Sequence, residues 1–204
     1  MPFTDAVQAG MEQAAETAGV ELITCDSKMD AAQALNCARQ FATQEVDALV
    51  TFQADAAANI CAEGAQVPVI AIDIEQQPCQ TTFVGAANTY AGEIVGAELG
   101  KYFQKNFDCQ YNAWISLEST AVGIVNDQRM GGMRDGFAAY CCEVQNLRVL
   151  DTGAGGRADV AQRQMTDTLT ALPGAERVIV VGINEDVITA ALAAARTQDR
   201  VENL

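Results

Sequence analysis

Along this chain, segments with a helix-like spacing of hydrophobic residues alternate with short, continuously hydrophobic runs. Segments with apolar residues every three or four positions predict helices, and short apolar runs between them predict strands buried on both faces. The predicted helices are Thr4–Ala18, Asp30–Thr43, Ala56–Ala65, Asn88–Asn106, Ile124–Tyr140, Ala158–Leu172 and Asp186–Thr197. The predicted strands are Val20–Cys25, Asp47–Phe52, Val67–Ile72, Thr82–Gly85, Ala113–Leu117, Val144–Leu150 and Arg177–Val181.

This alternation predicts an α/β fold with parallel sheets covered by helices on both faces. Right-handed crossovers then leave little choice in where the helices lie. From the residues alone, the best seam between two parts of the chain is Phe107–Gln110, because it ends the longest predicted helix and precedes a new strand.

Polar side chains follow the predicted strands, and Asp73 is the most conspicuous of them. The strand Val67–Ile72 is apolar throughout and then ends in this carboxylate. Many polar residues after strands cap the next helix, as Asp30 is expected to do, but Pro78 and another strand follow Asp73. Ligands of open parallel sheets bind beyond the carboxyl ends of the strands. The candidate binding residues in such positions are Asp26, Gln53, Asp73, Asn88, Glu118 and Asn184.

Composition and charge narrow the class of protein. The chain has 204 residues, of which 50% are hydrophobic and 19% charged, which is typical of one large globular domain or two smaller ones. Its net charge of -15 disfavours nucleic acids and anionic membranes as partners. There is no apolar run near 18 residues, and Met1–Thr4 does not resemble the start of a signal peptide.

The absence of histidine from the sequence removes the commonest general base and the commonest metal ligand. We therefore expect no catalytic residues, no metal and no cofactor. A cleft lined by Asp, Asn, Gln and Arg suits a polyhydroxylated ligand, because hydroxyls donate to carboxylates and accept from Arg. Arg129 lies early in its predicted helix and is either such a contact or a solvated surface residue. Phe3 and Phe52 are placed to stack on a sugar, whereas Trp114 is mid-strand and expected in the core.

Seven cysteines are many for a cytosolic chain of this length. No CxxC pair occurs, so a zinc site is not indicated. Cys25, inside a predicted strand, is readily explained as a small buried hydrophobe. Cys79, Cys109 and Cys142 lie in polar surroundings, which favours disulfides and an oxidising compartment. Because the count is odd, at least one thiol is unpaired or bound outside this chain.

The stretch Leu150–Ala158 contains the pattern GxGxxA between a strand and a helix, which matches the dinucleotide fingerprint. The fingerprint belongs in a first strand–helix turn, with an acidic residue ending the next strand about 20 residues later. Here the next strand ends at Asn184, too far along the chain. A flexible turn therefore explains these glycines better, and a nucleotide-dependent enzyme is a lower-ranked alternative.

Several segments, taken in order, resemble type I periplasmic solute-binding proteins, the ribose- and galactose-binding kind. Pro2-Phe3 before a helix resembles the start of that family, and Val67–Asp73 resembles its IPVITLD strand. Gly85–Asn88 with Gly92 and Gly96 resembles the crossover segment. The second half contributes two further matches. The first is the helix segment from Arg129 to Gly136-Phe137. The second starts at Pro173-Gly174 and runs through Val181–Asp186 to Ala190–Ala195.

The resemblance implies two Rossmann-like lobes, 1–87 and 88–204, with a crossover near 86–90. The lobes would close on a monosaccharide or similar polyol, and a monomer would deliver it to the permease of an ATP-driven transporter in the periplasm. A lipid anchor would lie in a segment outside this chain. By matching position, the resemblance implies ligand contacts at Asp73 and Asn184, a hinge contact at Asn88, a stacking aromatic at Phe3 and a further contact at Arg129.

The chain also departs from the family pattern. Nothing here matches the strand that precedes Pro2-Phe3 in the family or the segment that follows the last helix, so both lobes are expected to be incomplete, with a gap in the first sheet. In this topology the resemblance implies the pairs Cys109–Cys142, Cys61–Cys79 and Cys25–Cys37. The sensor core of a transcription repressor shares the fold and is the main alternative, although it would need a DNA-binding region and a reducing cytosol.

Overall fold

The computed structural model describes residues 2–52, 55–56, 58–63 and 66–204. Its helices are α1 Pro2–Ala18, α2 Ala31–Thr43, α3 Asn88–Phe107, α4 Ile124–Ala138, α5 Ala158–Thr170 and α6 Glu185–Thr197. Its strands are β1 Leu49–Phe52, β2 Val69–Ile72, β3 Gln80–Val84, β4 Ala113–Glu118, β5 Leu147–Asp151 and β6 Val178–Gly182. Short 3-10 turns cover Ile60–Glu63, Thr120–Val122 and Val201–Asn203.

The strands form two parallel sheets of three strands each, in the orders β1-β2-β3 and β5-β4-β6. The predicted α/β class with parallel sheets and covering helices is thereby confirmed. Asp30 also has its expected role, since its side chain accepts a hydrogen bond from the Gln33 backbone N–H at 2.8 Å and caps α2.

Two predicted elements are wrong or only partly described. Residues 20–25 do not form a strand, because none of the described strands lies beside them to complete a hydrogen-bonded ladder. A small open cleft of about 70 Å³, lined by Cys25, Ser27 and the residues of β1 among others, lies there instead. Of the predicted helix Ala56–Ala65, the described part contains only the 3-10 turn Ile60–Glu63, and residues 57, 64 and 65 lie outside the described residues.

The larger core surrounds the second sheet. Trp114 of β4 is fully buried, as expected, and its ring packs edge-on against Phe137 of α4 at 4.9 Å. Helix α3 lies on α4. Phe107, the last residue of α3, packs against Phe103 in the same core, with the two ring centroids 5.2 Å apart and the rings tilted by 56°. The seam predicted at Phe107–Gln110 is therefore wrong, since it falls inside this packed unit.

Three disulfides crosslink the chain: Cys25–Cys37, Cys61–Cys79 and Cys109–Cys141. The first two pairings are as expected. The pairing of Cys109 with Cys142 is wrong, because Cys141, three residues beyond α4, lies against α3, with its sulfur 3.6 Å from the Gly100 carbonyl oxygen. The neighbouring Cys142 points away and is an exposed free thiol.

We expect alkylation of the native, unreduced protein to label one cysteine. Peptide mapping by mass spectrometry should place the label on Cys142, because the other six thiols are oxidised in the structure. Reduction before alkylation should label all seven cysteines. Labelling at Cys141 with protection of Cys142 would show that the third disulfide joins Cys109 to Cys142 instead.

Candidate functional site

The side chain of Arg129 on α4 connects three parts of the chain through hydrogen bonds. Its Nε and Nη2 atoms donate to Oδ1 of Asn88 at 3.1 and 2.6 Å, and its Nη1 atom donates to the Ile183 carbonyl oxygen at 2.7 Å. Asn88 is the first residue of α3 and is almost fully buried, while Ile183 directly follows β6. The guanidinium thus stands at the carboxyl end of the second sheet, beside the start of α3.

The charge of Arg129 is not neutralised by a carboxylate among the described residues, because its three hydrogen bonds go to only two acceptors, the Asn88 amide oxygen and the Ile183 backbone carbonyl oxygen. A guanidinium carries five N–H donors in a fixed fork, so two of them are left for another partner. The site therefore offers a half-buried positive charge with spare donors, held rigid by its own hydrogen bonds.

Asp73 stands at the corresponding end of the first sheet, directly after β2. Its φ angle of 64° is in the left-handed region, which is uncommon for residues other than glycine. The Ile74 N–H donates to the Ile72 carbonyl oxygen at 2.7 Å, so Asp73 is the central residue of a γ-turn. Within the described part of the chain, no hydrogen bond reaches the Asp73 carboxylate, which leaves its oxygens available to a ligand.

Asn184 immediately follows Ile183, the backbone acceptor of Arg129. Its Oδ1 atom accepts from the Val187 N–H at 3.1 Å and caps α6, while its Nδ2 atom donates to the Gly155 carbonyl oxygen at 2.9 Å. The glycines 153, 155 and 156 have positive φ angles and form a turn, as the sequence favours. A Cβ atom at Gly156 would lie 2.6 Å from Nδ2 of Asn184, so close packing against this side chain explains that glycine.

Glu118, at the end of β4, is buried and already bound by protein donors. Ser116 Oγ and Arg134 Nη1 donate to its Oε1 atom at 2.7 and 3.0 Å, and Asn126 Nδ2 donates to Oε2 at 2.9 Å. This geometry gives Glu118 a supporting role in the second sheet. Direct contact between Glu118 and a ligand stays a prediction.

The network around Glu118 fixes the loop that follows β4. Oδ1 of Asn126 accepts from the Ser119 N–H at 2.9 Å, Ser119 Oγ donates to the Gly153 carbonyl oxygen at 2.7 Å, and Thr120 Oγ1 donates to Asp151 Oδ2 at 2.5 Å. Partial burial opposes ionisation of Asp151, but the hydrogen bonds from Thr120 and from the Gly153 N–H outweigh it and lower the pKa of this carboxyl. The loop 119–123 is consequently held firmly against the second sheet.

The remaining predicted residues lie elsewhere or outside the described part. Asp26 is exposed, and its Oδ1 atom accepts from the Lys28 N–H at 2.8 Å in a local turn. Gln53 lies outside the described residues, and so does the side chain of Phe3, whose backbone belongs to the first turn of α1. The structure thus brings together Asn88, Arg129 and the backbone next to Asn184.

Sequence reasoning missed Arg134 and Asn126. They support the site through contacts with Glu118 and with the loop after β4. No local signal could have singled them out, because a polar residue on an exposed-looking helix or loop has the same appearance whether or not a distant carboxylate reaches it.

Metal sites and membrane-spanning helices are both absent from the described residues. No group of three or more cysteines, aspartates and glutamates is placed to hold a metal ion. None of the helices in residues 2–52, 55–56, 58–63 and 66–204 is both long and apolar enough to cross a bilayer.

Sequence and structure together define the class of protein. The family model described as a periplasmic binding protein domain matches residues 1–203, and this chain belongs to that family. The resemblance stated from the sequence motifs is confirmed by this match. Among proteins with curated descriptions, none matches this sequence.

Solved structures of solute-binding proteins share the fold. One, from an ABC transporter of Mycobacterium smegmatis with bound glycerol, has a TM-score of 0.79 and 22% identity, over 99% of this chain and 68% of that one. Another, from Actinobacillus succinogenes with bound D-allose, has a TM-score of 0.72 and 19% identity, over 98% and 71%. A myo-inositol-binding protein of Caulobacter has a TM-score of 0.74 and 20% identity, over 97% and 67%. This chain therefore spans about two thirds of each of these structures.

Proposed function

We propose that this chain is the substrate-binding component of an ATP-driven uptake system for a monosaccharide or similar polyol, and not an enzyme. The observation that carries the proposal is the Arg129 guanidinium. It is fixed by Asn88 and the Ile183 carbonyl, has two N–H donors left over, and is not paired with a carboxylate in the described part of the chain. Such a group is suited to hydroxyl oxygens, which accept from it, while the Asp73 carboxylate accepts from hydroxyl hydrogens.

Two lobes, 1–87 and 88–204, would supply these groups and close around the ligand by a hinge near 86–90. Asp73 would come from the first lobe, Arg129 and Asn184 from the second, and Asn88 from the crossover between them. Phe3, Gln53, Asp26 and Glu118 are proposed as further contacts. The fold neighbours with glycerol, D-allose and myo-inositol support a polyhydroxylated ligand.

The three disulfides favour an extracytoplasmic location over the cytosol. They also count against the alternative of a repressor core, which would fold in a reducing compartment. In this proposal, the protein acts as a monomer and delivers its ligand to a permease.

A thermal-shift screen of glycerol, myo-inositol, D-allose and common pentoses and hexoses tests the proposal. A ligand at about 100 times its Kd adds about 2.7 kcal/mol of stability, which for a chain of this size raises Tm by roughly 5–10 °C. Amino acids serve as the control set, and calorimetry should give a one-to-one stoichiometry for each polyol that shifts Tm. If no sugar or polyol shifts Tm at millimolar concentration, this function is wrong.

A further inference from the structure

A small apolar cluster joins the two halves of the structure beside the proposed binding site. Ile74, which follows Asp73 after β2, is buried against Val122 and Val125, which lie between β4 and the first turn of α4. Ile74 is only 3% exposed, although both its chain neighbours are more accessible. It therefore extends out of the first lobe and is buried by residues of the second.

A backbone hydrogen bond reinforces the cluster. The Ala56 N–H, in the segment after β1, donates to the Ala121 carbonyl oxygen at 2.7 Å. Gly123 lies on the same loop with a φ angle of 59°, and a Cβ atom there would come within 3.2 Å of the Ala56 side chain. Both segments that follow the first-lobe strands β1 and β2 thus contact one loop of the second lobe.

That loop is built to be rigid. Ser119 and Thr120 are bound to Asn126, Gly153 and Asp151 by the hydrogen bonds described above, so the Ala121 carbonyl and Val122 keep fixed positions on the second lobe. On the other side, the γ-turn joins Ile74 directly to Asp73, whose carboxylate is the proposed ligand contact. A movement of Asp73 towards a ligand consequently moves Ile74 as well.

From this geometry we propose that Ile74 is a positioning residue, which latches the closed arrangement of the lobes through Val122, Val125 and the hydrogen bond from Ala56 to Ala121. The proposal rests on the proposed function in one respect, that the lobes open and close around a ligand. The latch lowers the free energy of the closed arrangement before any ligand binds, and so raises affinity without touching the ligand. Opening of the lobes exposes Ile74 to water. The free-energy cost of this exposure favours the closed form over the open form by about 10-fold or more.

The test compares the wild-type chain with Ile74→Ala by small-angle X-ray scattering without ligand and by calorimetry with the polyol that binds best in the screen. We expect Ile74→Ala to have a larger radius of gyration than wild type and to bind the polyol about 10-fold more weakly. Excess ligand should return the variant to the compact form. Ile60→Ala is the matched control, because Ile60 is equally buried but lies within the first lobe. It should lower Tm and leave both the radius of gyration and the affinity of the folded protein unchanged.

Two further variants keep the test decisive. Ile74→Val retains most of the buried surface and should lie between wild type and Ile74→Ala, and it replaces Ile74→Ala if that variant fails to fold. Val122→Ala removes the facing side chain, so its effect should not add to that of Ile74→Ala if the two residues act as one contact. Additive effects, or scattering and affinity that are unchanged in Ile74→Ala, would overturn the latch even if the chain binds polyols. A chain that binds no polyol but still expands on Ile74→Ala would overturn the proposed function and support the latch.

Discussion

The Arg129→Ala variant is expected to lose polyol binding by at least about 100-fold, because hydrogen bonds from a charged donor contribute about 1.5–3 kcal/mol each. Its stability should also fall by about 1–3 kcal/mol, since the buried Asn88 amide oxygen and the Ile183 carbonyl oxygen lose their donor. Isothermal calorimetry measures the first effect and urea denaturation the second. Both the affinity and the stability should fall, because the Arg129 side chain stabilises the fold and also forms part of the proposed binding site.

The Arg129→Lys variant separates charge from geometry. A lysine keeps the positive charge but lacks the planar fork that reaches Asn88 and Ile183 together, so its affinity should remain well below that of wild type. Arg163→Ala is the control, since Arg163 is exposed and forms only a surface ion pair with Asp159. That control should change neither affinity nor stability by more than about 0.5 kcal/mol. Wild-type affinity in a correctly folded Arg129→Ala protein would remove Arg129 from the site.

Gly96→Ala is expected to destabilise the protein by about 2 kcal/mol or more, even though alanine is the better helix former. Helices α3 and α4 pack backbone to backbone here, and a Cβ atom at Gly96 would overlap the Met133 carbonyl oxygen and lie 2.8 Å from the Phe137 nitrogen. These are backbone atoms, so the helices must move apart to accommodate the methyl group. Because α3 carries Asn88 and α4 carries Arg129, their separation should also weaken ligand binding.

Gly131→Ala provides the matched control in α4. A Cβ atom at Gly131 would meet nothing within 4 Å, so this substitution should stabilise the protein by about 0.5–1 kcal/mol through helix propensity alone. Urea denaturation midpoints of the two variants should therefore shift in opposite directions. Gly96→Ala with a midpoint at or above that of wild type would mean that the two helices do not pack as closely as the structure shows.

The sequence predicted most helices and the second sheet because those elements are encoded by local periodicity. Strand β4, for example, is apolar on both faces, and in the structure it is buried on both faces between β5 and β6. Local reasoning failed at residues 20–25, whose apolar pattern suits a strand but which have no strand to pair with among the described residues. A strand forms only where a neighbouring strand pairs with its backbone N–H and C=O groups, so the residue pattern of one segment does not by itself establish a strand.

The spacing of apolar and polar residues is enough to predict the α/β class, most of the elements and the strand-end positions where polar groups gather, whereas the disulfide pairs Cys25–Cys37 and Cys61–Cys79 were only implied by the family resemblance. Which of those polar groups contact one another depends on how the helices and sheets pack. Arg129 reaches Asn88 because glycines let α3 and α4 approach closely, and Cys141 rather than Cys142 pairs with Cys109 because α4 turns it towards α3. Periodicity depends on neighbours a few residues apart, whereas these contacts join side chains about 30 to 50 residues apart, whose distance depends on how whole helices pack.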